Sequence, residues 1–145
     1  MIKAIIFDLD NTLLDFVKMK RFAVRAAVTA MNEAGLGVDE KKAFDDIFDL
    51  YLNKGWEHQQ VFDDYLQQTT GKVSNKVLAA GIVSYRRARE ATLLVYPNVN
   101  KTLIELLKMG IKLAVVSDAP SREAWMRLYY LNLHHIFDPV LTYDD

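Results

Sequence analysis

The feature that most constrains this chain is an interrupted alternation of strand-like and helix-like segments. A short apolar run rich in Ile, residues 2–7, stops abruptly at Asp8-Leu9-Asp10-Asn11-Thr12. Another such run lies at residues 111–116, where it stops at Ser117-Asp118. Runs of this length fit strands buried on both faces, as in a parallel sheet. About 80 residues of helical periodicity separate the first run from the next strand-and-helix unit. Phe16, Met19, Phe22/Ala23, Ala26/Ala27 and Ala30 form a first stripe, broken at Gly35-Leu36-Gly37. Asp39 is placed to cap a second helix, with the stripe Phe44, Ile47/Phe48 and Tyr51. A third stripe runs through His58, Val61/Phe62 and Tyr65/Leu66 to Gly71, and Ser74 precedes a fourth of Val77/Leu78, Ile82, Tyr85 and Arg89.

From Pro97 the alternation returns: a helix closed by Gly110, the strand at 111–116, a helix opened by Pro120-Ser121, and a short strand at 140–143 before Asp144-Asp145. On the last helix, Trp125 and Leu128/Tyr129 are expected to share one face. The predicted fold class is therefore α/β. A Rossmann-like parallel sheet core over residues 1–15 and 94–145 is split by four inserted helices over residues 16–93.

Composition narrows the function. Lys and Arg number 18 against 19 Asp and Glu, a net charge of −1, so the basic excess of a nucleic-acid binder is missing. With no cysteine, disulfide scaffolds, thiolate metal sites and thiol nucleophiles are excluded. No apolar run reaches the roughly 18 residues of a membrane span, and the N-terminus lacks the sequence of regions that marks a signal peptide. The expectation is a cytoplasmic protein acting on something small, without nucleic acid or membrane as partner.

Ligands of open parallel sheets bind beyond the carboxyl ends of the strands. Two aspartates one residue apart, placed there, repel unless a cation lies between them, and a hard divalent ion such as Mg²⁺ resolves that repulsion. The stretch Phe7-Asp8-Leu9-Asp10-Asn11-Thr12-Leu13 resembles the first motif of the haloacid dehalogenase superfamily, Asp-x-Asp-x-Thr. Ser117, ending the next core strand, matches the second motif, and the helical insert matches the position and size of the superfamily's C1-type cap. The resemblance implies a phosphatase-like hydrolase with Asp8 as nucleophile and Asp10 as general acid and base. It also implies Mg²⁺ on the Asp8 carboxylate and the Asp10 main-chain carbonyl. Phosphate would be bound by the Ser117 hydroxyl and the backbone N–H groups of Leu9 and Asp118. Thr12 is read as bracing the loop. Asp10 points to phosphate esters, because superfamily members acting on carbon–halogen bonds or phosphonates lack an Asp at that position.

The superfamily's third motif, a Lys, has no counterpart, since no lysine follows Lys112. Asp144-Asp145 superficially imitate the fourth motif, but come only 27 residues after Ser117 and are read as the acidic stretch that precedes the Lys motif. The C-terminal strands of the core are accordingly expected to be absent from this chain. It is expected to be truncated, cleaved or partial, or else paired across the open edge of the first strand as a homodimer or strand-swapped assembly. Rival readings are a non-catalytic binding or dimerisation module and a phosphomutase. Lys18, Lys20, Arg21 and Arg25, with Arg86, Arg87 and Arg89, are read as solvated helix faces. His58 is assigned to the packed stripe of the third helix, and His134-His135 to a helix C-terminus.

Overall fold

The computed structural model describes residues 1–145. Three strands, β1 (Ala4–Phe7), β2 (Lys112–Val116) and β3 (Val140–Leu141), form one parallel sheet in the order β1-β2-β3. Six helices accompany them: α1 (Phe16–Glu33), α2 (Glu40–Lys54), α3 (Val61–Thr70), α4 (Asn75–Thr92), α5 (Val99–Lys108) and α6 (Ser121–Tyr130). None is long and apolar enough to cross a membrane. The chain divides into two compact units, Met1–Lys18 with Leu93–Asp145, and Met19–Thr92. The first turn of α1 thus belongs to the sheet-bearing unit, and the division falls three residues beyond the residue at which the helix begins.

In the sheet-bearing unit, β1 pairs with β2 from Ala4↔Lys112 to Phe7↔Val115, and β2 pairs with β3 at Val115↔Val140 and Val116↔Leu141. Connections between parallel strands are almost always right-handed. Two successive steps in the same direction across the sheet therefore place α5 and α6 on the same face. Burial agrees. Leu113 (2% exposed) and Val115 (0%) are covered, whereas Ile6 (67%), Val116 (48%) and Leu141 (45%) on the opposite face are open. The expectation of strands buried on both faces is thus corrected: one layer of helices covers one face. β3 is shorter than the sequence suggests because the Asp145 carboxylate accepts both the Thr142 backbone N–H and its hydroxyl, each at 2.8 Å, ending the ladder.

The helical unit closes around Val24, Val28 and Met31 of α1, Ile47 and Tyr51 of α2, Phe62 and Leu66 of α3, and Val77 and Tyr85 of α4. Each fully buried side chain of this size contributes roughly 1.5–3 kcal/mol. α2 starts where Asp39 accepts the Lys42 backbone N–H at 2.7 Å. At Gly81 the backbone of α4 passes close to Met31, whose Cγ and Sδ lie 2.9 Å from where a Cβ would stand. Two expected stripes are corrected. On α1 the expected Phe16, Met19, Ala23 and Ala27 are buried, but Lys20, Val24, Val28 and Met31 join them, so the covered face extends about one residue beyond the expected one, and Phe22 is 45% exposed. His58 precedes α3, which opens at Val61.

Candidate active site

Carrying the β1–β2 register one residue past the strands sets Asp8 beside Val116 and Ser117 one step further along. Thr142 follows β3 at the same edge, since the Ser117 backbone N–H donates to Leu141 O at 2.9 Å. Asp8, Asp10, Ser117 and Asp118 therefore gather at the carboxyl end of the sheet, where the topology of open parallel sheets places ligands.

The loop after β1 is held from within. Leu9, Leu13 and Leu14 are buried, and Leu13 N donates to Leu9 O at 2.9 Å while Asn11 N donates to Leu14 O at 2.8 Å. Asn11 takes a left-handed conformation (φ 59°), which Asn tolerates better than most residues. Its side-chain oxygen accepts the Val17 N–H in the first turn of α1 at 3.2 Å. Leu13 O also accepts from Tyr96 N at 2.9 Å, tying the loop to the segment that leads into α5. A loop fixed in this way presents Asp8 and Asp10 in set positions.

Each predicted site residue has a definite environment. Asp8 is solvent-exposed, with Oδ1 accepting the Leu9 N–H at 2.8 Å and Oδ2 accepting the Thr12 hydroxyl at 3.2 Å. Those two donors orient the carboxylate without burying it. The Leu9 N–H, expected on a phosphate oxygen, is turned to Asp8 here. Ser117 is 5% exposed, and its Oγ accepts from the Ala119 N–H at 3.2 Å. A hydroxyl can accept there and still donate its own hydrogen. Asp118 is exposed and begins the turn into α6. Asp144 caps α6, its Oδ2 accepting the Ser121 N–H at 2.6 Å. Asp145 is held by Thr142, whose hydroxyl and N–H push its carboxyl below the usual range. This last acidic pair thus serves local backbone.

Arg127 is the residue that sequence reasoning missed. On α6 the buried positions are Ala124, Arg127 and Leu128, while Trp125 and Tyr129 stand 36% and 61% exposed, so of the face expected from Trp125 and Leu128/Tyr129 only Leu128 is covered. Arg127, 6% exposed, donates from one terminal nitrogen to Asp10 Oδ2 at 2.7 Å. Its guanidinium also lies 4.7 Å from the centre of the Phe16 ring. The available signal was a charged residue at helical spacing from Ala124 and Leu131, on an otherwise small or apolar stripe.

For a metal, Asp8 and Asp10 offer hard oxygen donors, and no group of three or more His, Asp or Glu gathers anywhere in the chain. One carboxylate plus one main-chain carbonyl fits Mg²⁺, which keeps several waters and relies on substrate phosphate to complete its shell. It does not fit an ion that needs an all-protein cage.

The family model for haloacid dehalogenase-like hydrolases matches residues 2–145. A glyceraldehyde 3-phosphate phosphatase of Methanocaldococcus jannaschii is 37% identical over all of this chain and 64% of its own length. A phosphoglycolate phosphatase of Psychrobacter arcticus is 26% identical over 97% of this chain and 60% of its own. Among solved structures, a Thermotoga maritima protein put forward as a β-phosphoglucomutase superposes with a TM-score of 0.72. It is 24% identical and is covered over 62% of its length, a likeness of fold. This chain thus spans less than two thirds of the proteins it matches. With the motif residues at the sheet edge and a family match over nearly its whole length, the chain belongs to the haloacid dehalogenase-like hydrolases.

Proposed function

We propose that this chain carries the nucleophilic half of a phosphatase site acting on a small phosphorylated metabolite. The observation that supports this most is the pairing of an exposed, doubly oriented Asp8 with a fixed Asp10 at the carboxyl end of β1. Asp8 attacks the phosphorus in line through the carboxylate oxygen that faces substrate. An aspartyl-phosphate forms as the P–O bond to the leaving alkoxide breaks, dividing one hard step into two. Asp10 delivers a proton to that oxygen and then takes one from the water that releases phosphate, a role worth ~10²–10⁴-fold. Arg127 positions Asp10 through Oδ2. Ser117 donates to a phosphate oxygen from the end of β2, with the Asp118 N–H beside it. Mg²⁺, held by the Asp8 carboxylate and the Asp10 carbonyl, supplies charge neutralisation for the phosphoryl oxygens when bound.

The substrate class rests on the relatives. Those named for glyceraldehyde 3-phosphate and phosphoglycolate act on compounds of two or three carbons. This reading gives the helical unit the role of the superfamily's C1-type cap. Initial rates on a panel of short phosphate esters with Mg²⁺ test the reading: two- and three-carbon esters are expected to lead. A preference for nucleotides or hexose phosphates, or rates indifferent to the ester, would overturn it.

A further inference from the structure

The helical unit holds a buried cation that this chemistry does not use. Lys20, in the second turn of α1, was expected on a solvated face but is 4% exposed. Its ammonium donates to the Tyr85 hydroxyl of α4 at 2.7 Å and lies 4.1 Å from the centre of the Tyr51 ring. Taking an ammonium out of water costs several kcal/mol, and a well-packed apolar residue in such a place is often as stable or more so. Stability of the fold therefore gives little reason for a lysine here.

Lys20 forms one wall of a cavity of about 90 Å³, room for several waters or one small oxyanion. Arg86 and Arg89 of α4 line it as well, with Glu57 as the one carboxylate in the lining. Arg86 is exposed and Arg89 half-buried, so the charge extends from the interior to the surface. His58 also lines the cavity, with its ring bonded to Asp64 at 2.6 Å. Much of the remaining wall is aromatic, from Tyr51, Trp56, Phe62 and Tyr85. Such walls exclude water and strengthen the field of the cations within. Desolvation, with the neighbouring Tyr85, pushes the Tyr51 hydroxyl far above its ordinary range, so it stays a neutral phenol and adds no competing negative charge.

We propose that this cavity binds a small oxyanion, a carboxylate or a phosphate, gripped by Lys20 inside and by Arg86 and Arg89 toward the surface. The oxyanion has two sources that the test below separates: the non-reacting end of a phosphorylated substrate, or a free anion. The site itself does not depend on the phosphatase reading; only the choice between sources does.

The chain has two tryptophans, so Trp125→Phe leaves Trp56, in the cavity wall, as the sole tryptophan, selectively excited at the red edge of the absorption band where tyrosine does not absorb. Glycolate and inorganic phosphate are titrated into this 145-residue chain. A saturable Trp56 response to at least one probe is expected, weakened ~10-fold by Lys20→Met and several-fold by Arg86→Gln. Circular dichroism checks folding. If Lys20→Met unfolds, the exposed Arg86→Gln decides. Phosphoglycolate, titrated in an Asp8→Asn background, separates the sources. If the substrate's own end is bound, it saturates at least ~10-fold below glycolate, and Lys20→Met removes that advantage; a free-anion site shows no advantage. The proposal is overturned if neither probe gives a saturable response, or if the response is unchanged in the folded variants.

Discussion

Arg127 and Asp10 meet across 117 residues of sequence, and both side chains are largely buried, 7% and 16% exposed. Removing one partner of such a pair leaves the other charge in a poor solvent. Arg127→Met is expected to lower stability by about 3 kcal/mol in urea denaturation, and Arg127→Met with Asp10→Asn to recover most of that loss. Equal losses in the single and double variants would show that the guanidinium acts through Phe16 packing instead. That Asp8, Asp10 and Ser117 come together was legible in the sequence because Asp8 and Ser117 directly follow apolar strand runs, Asp10 stands two residues beyond Asp8, and strand ends in parallel sheets converge. Arg127 was not legible. Its partner is distant, and the bulky Trp125 and Tyr129 drew the periodicity of α6 to the wrong face. Lys20 was missed for a similar reason: four cations within eight residues read as solvent-facing, yet one of them points inward.

At the scale of elements, the helical unit offers two tests. Gly81→Ala improves intrinsic helix propensity by about 1 kcal/mol, but the new Cβ meets fully buried Met31 at 2.9 Å, and overpacking costs typically 1–3 kcal/mol. A net loss of about 1 kcal/mol in thermal or urea unfolding is expected; a gain would mean that Met31 moves aside freely. The second test is pH. Lys54, followed by His58, holds the Asp64 carboxyl below its usual value. A lowered folded-state pKa stabilises above the unfolded value near ~3.9 and ceases to do so as pH falls through the folded one. Asp64→Asn should therefore cost up to ~1 kcal/mol at neutral pH, a difference that disappears in acid. The helices were legible because Asp39, Gly55 and Gly71 punctuate them. The length of β3 was not, because a side-chain bond from Asp145 ends it.

At the scale of the whole molecule, the sheet shows what one-dimensional patterning leaves out. Runs 2–7 and 111–116 read as buried on both sides, yet Ile6, Val116 and Leu141 form a bare apolar row, and β1 has β2 on one edge only. Hydrophobicity gives the strand, but which face is covered depends on where the helices go. Light scattering is expected to show concentration-dependent self-association of this chain. Ile6→Lys should reduce it without loss of stability, whereas Leu113→Ala, inside the covered face, should cost about 2–5 kcal/mol. The central claim, that Asp8 is a phosphoryl-accepting nucleophile, is tested most directly by hydrolysis of an aryl phosphate with and without Mg²⁺. The measurement uses the 145-residue chain, its intact mass verified, beside its Asp8→Asn variant. The expected result is Mg²⁺-dependent turnover that falls on the order of 10⁴-fold in the variant. Turnover that survives the exchange would contradict it.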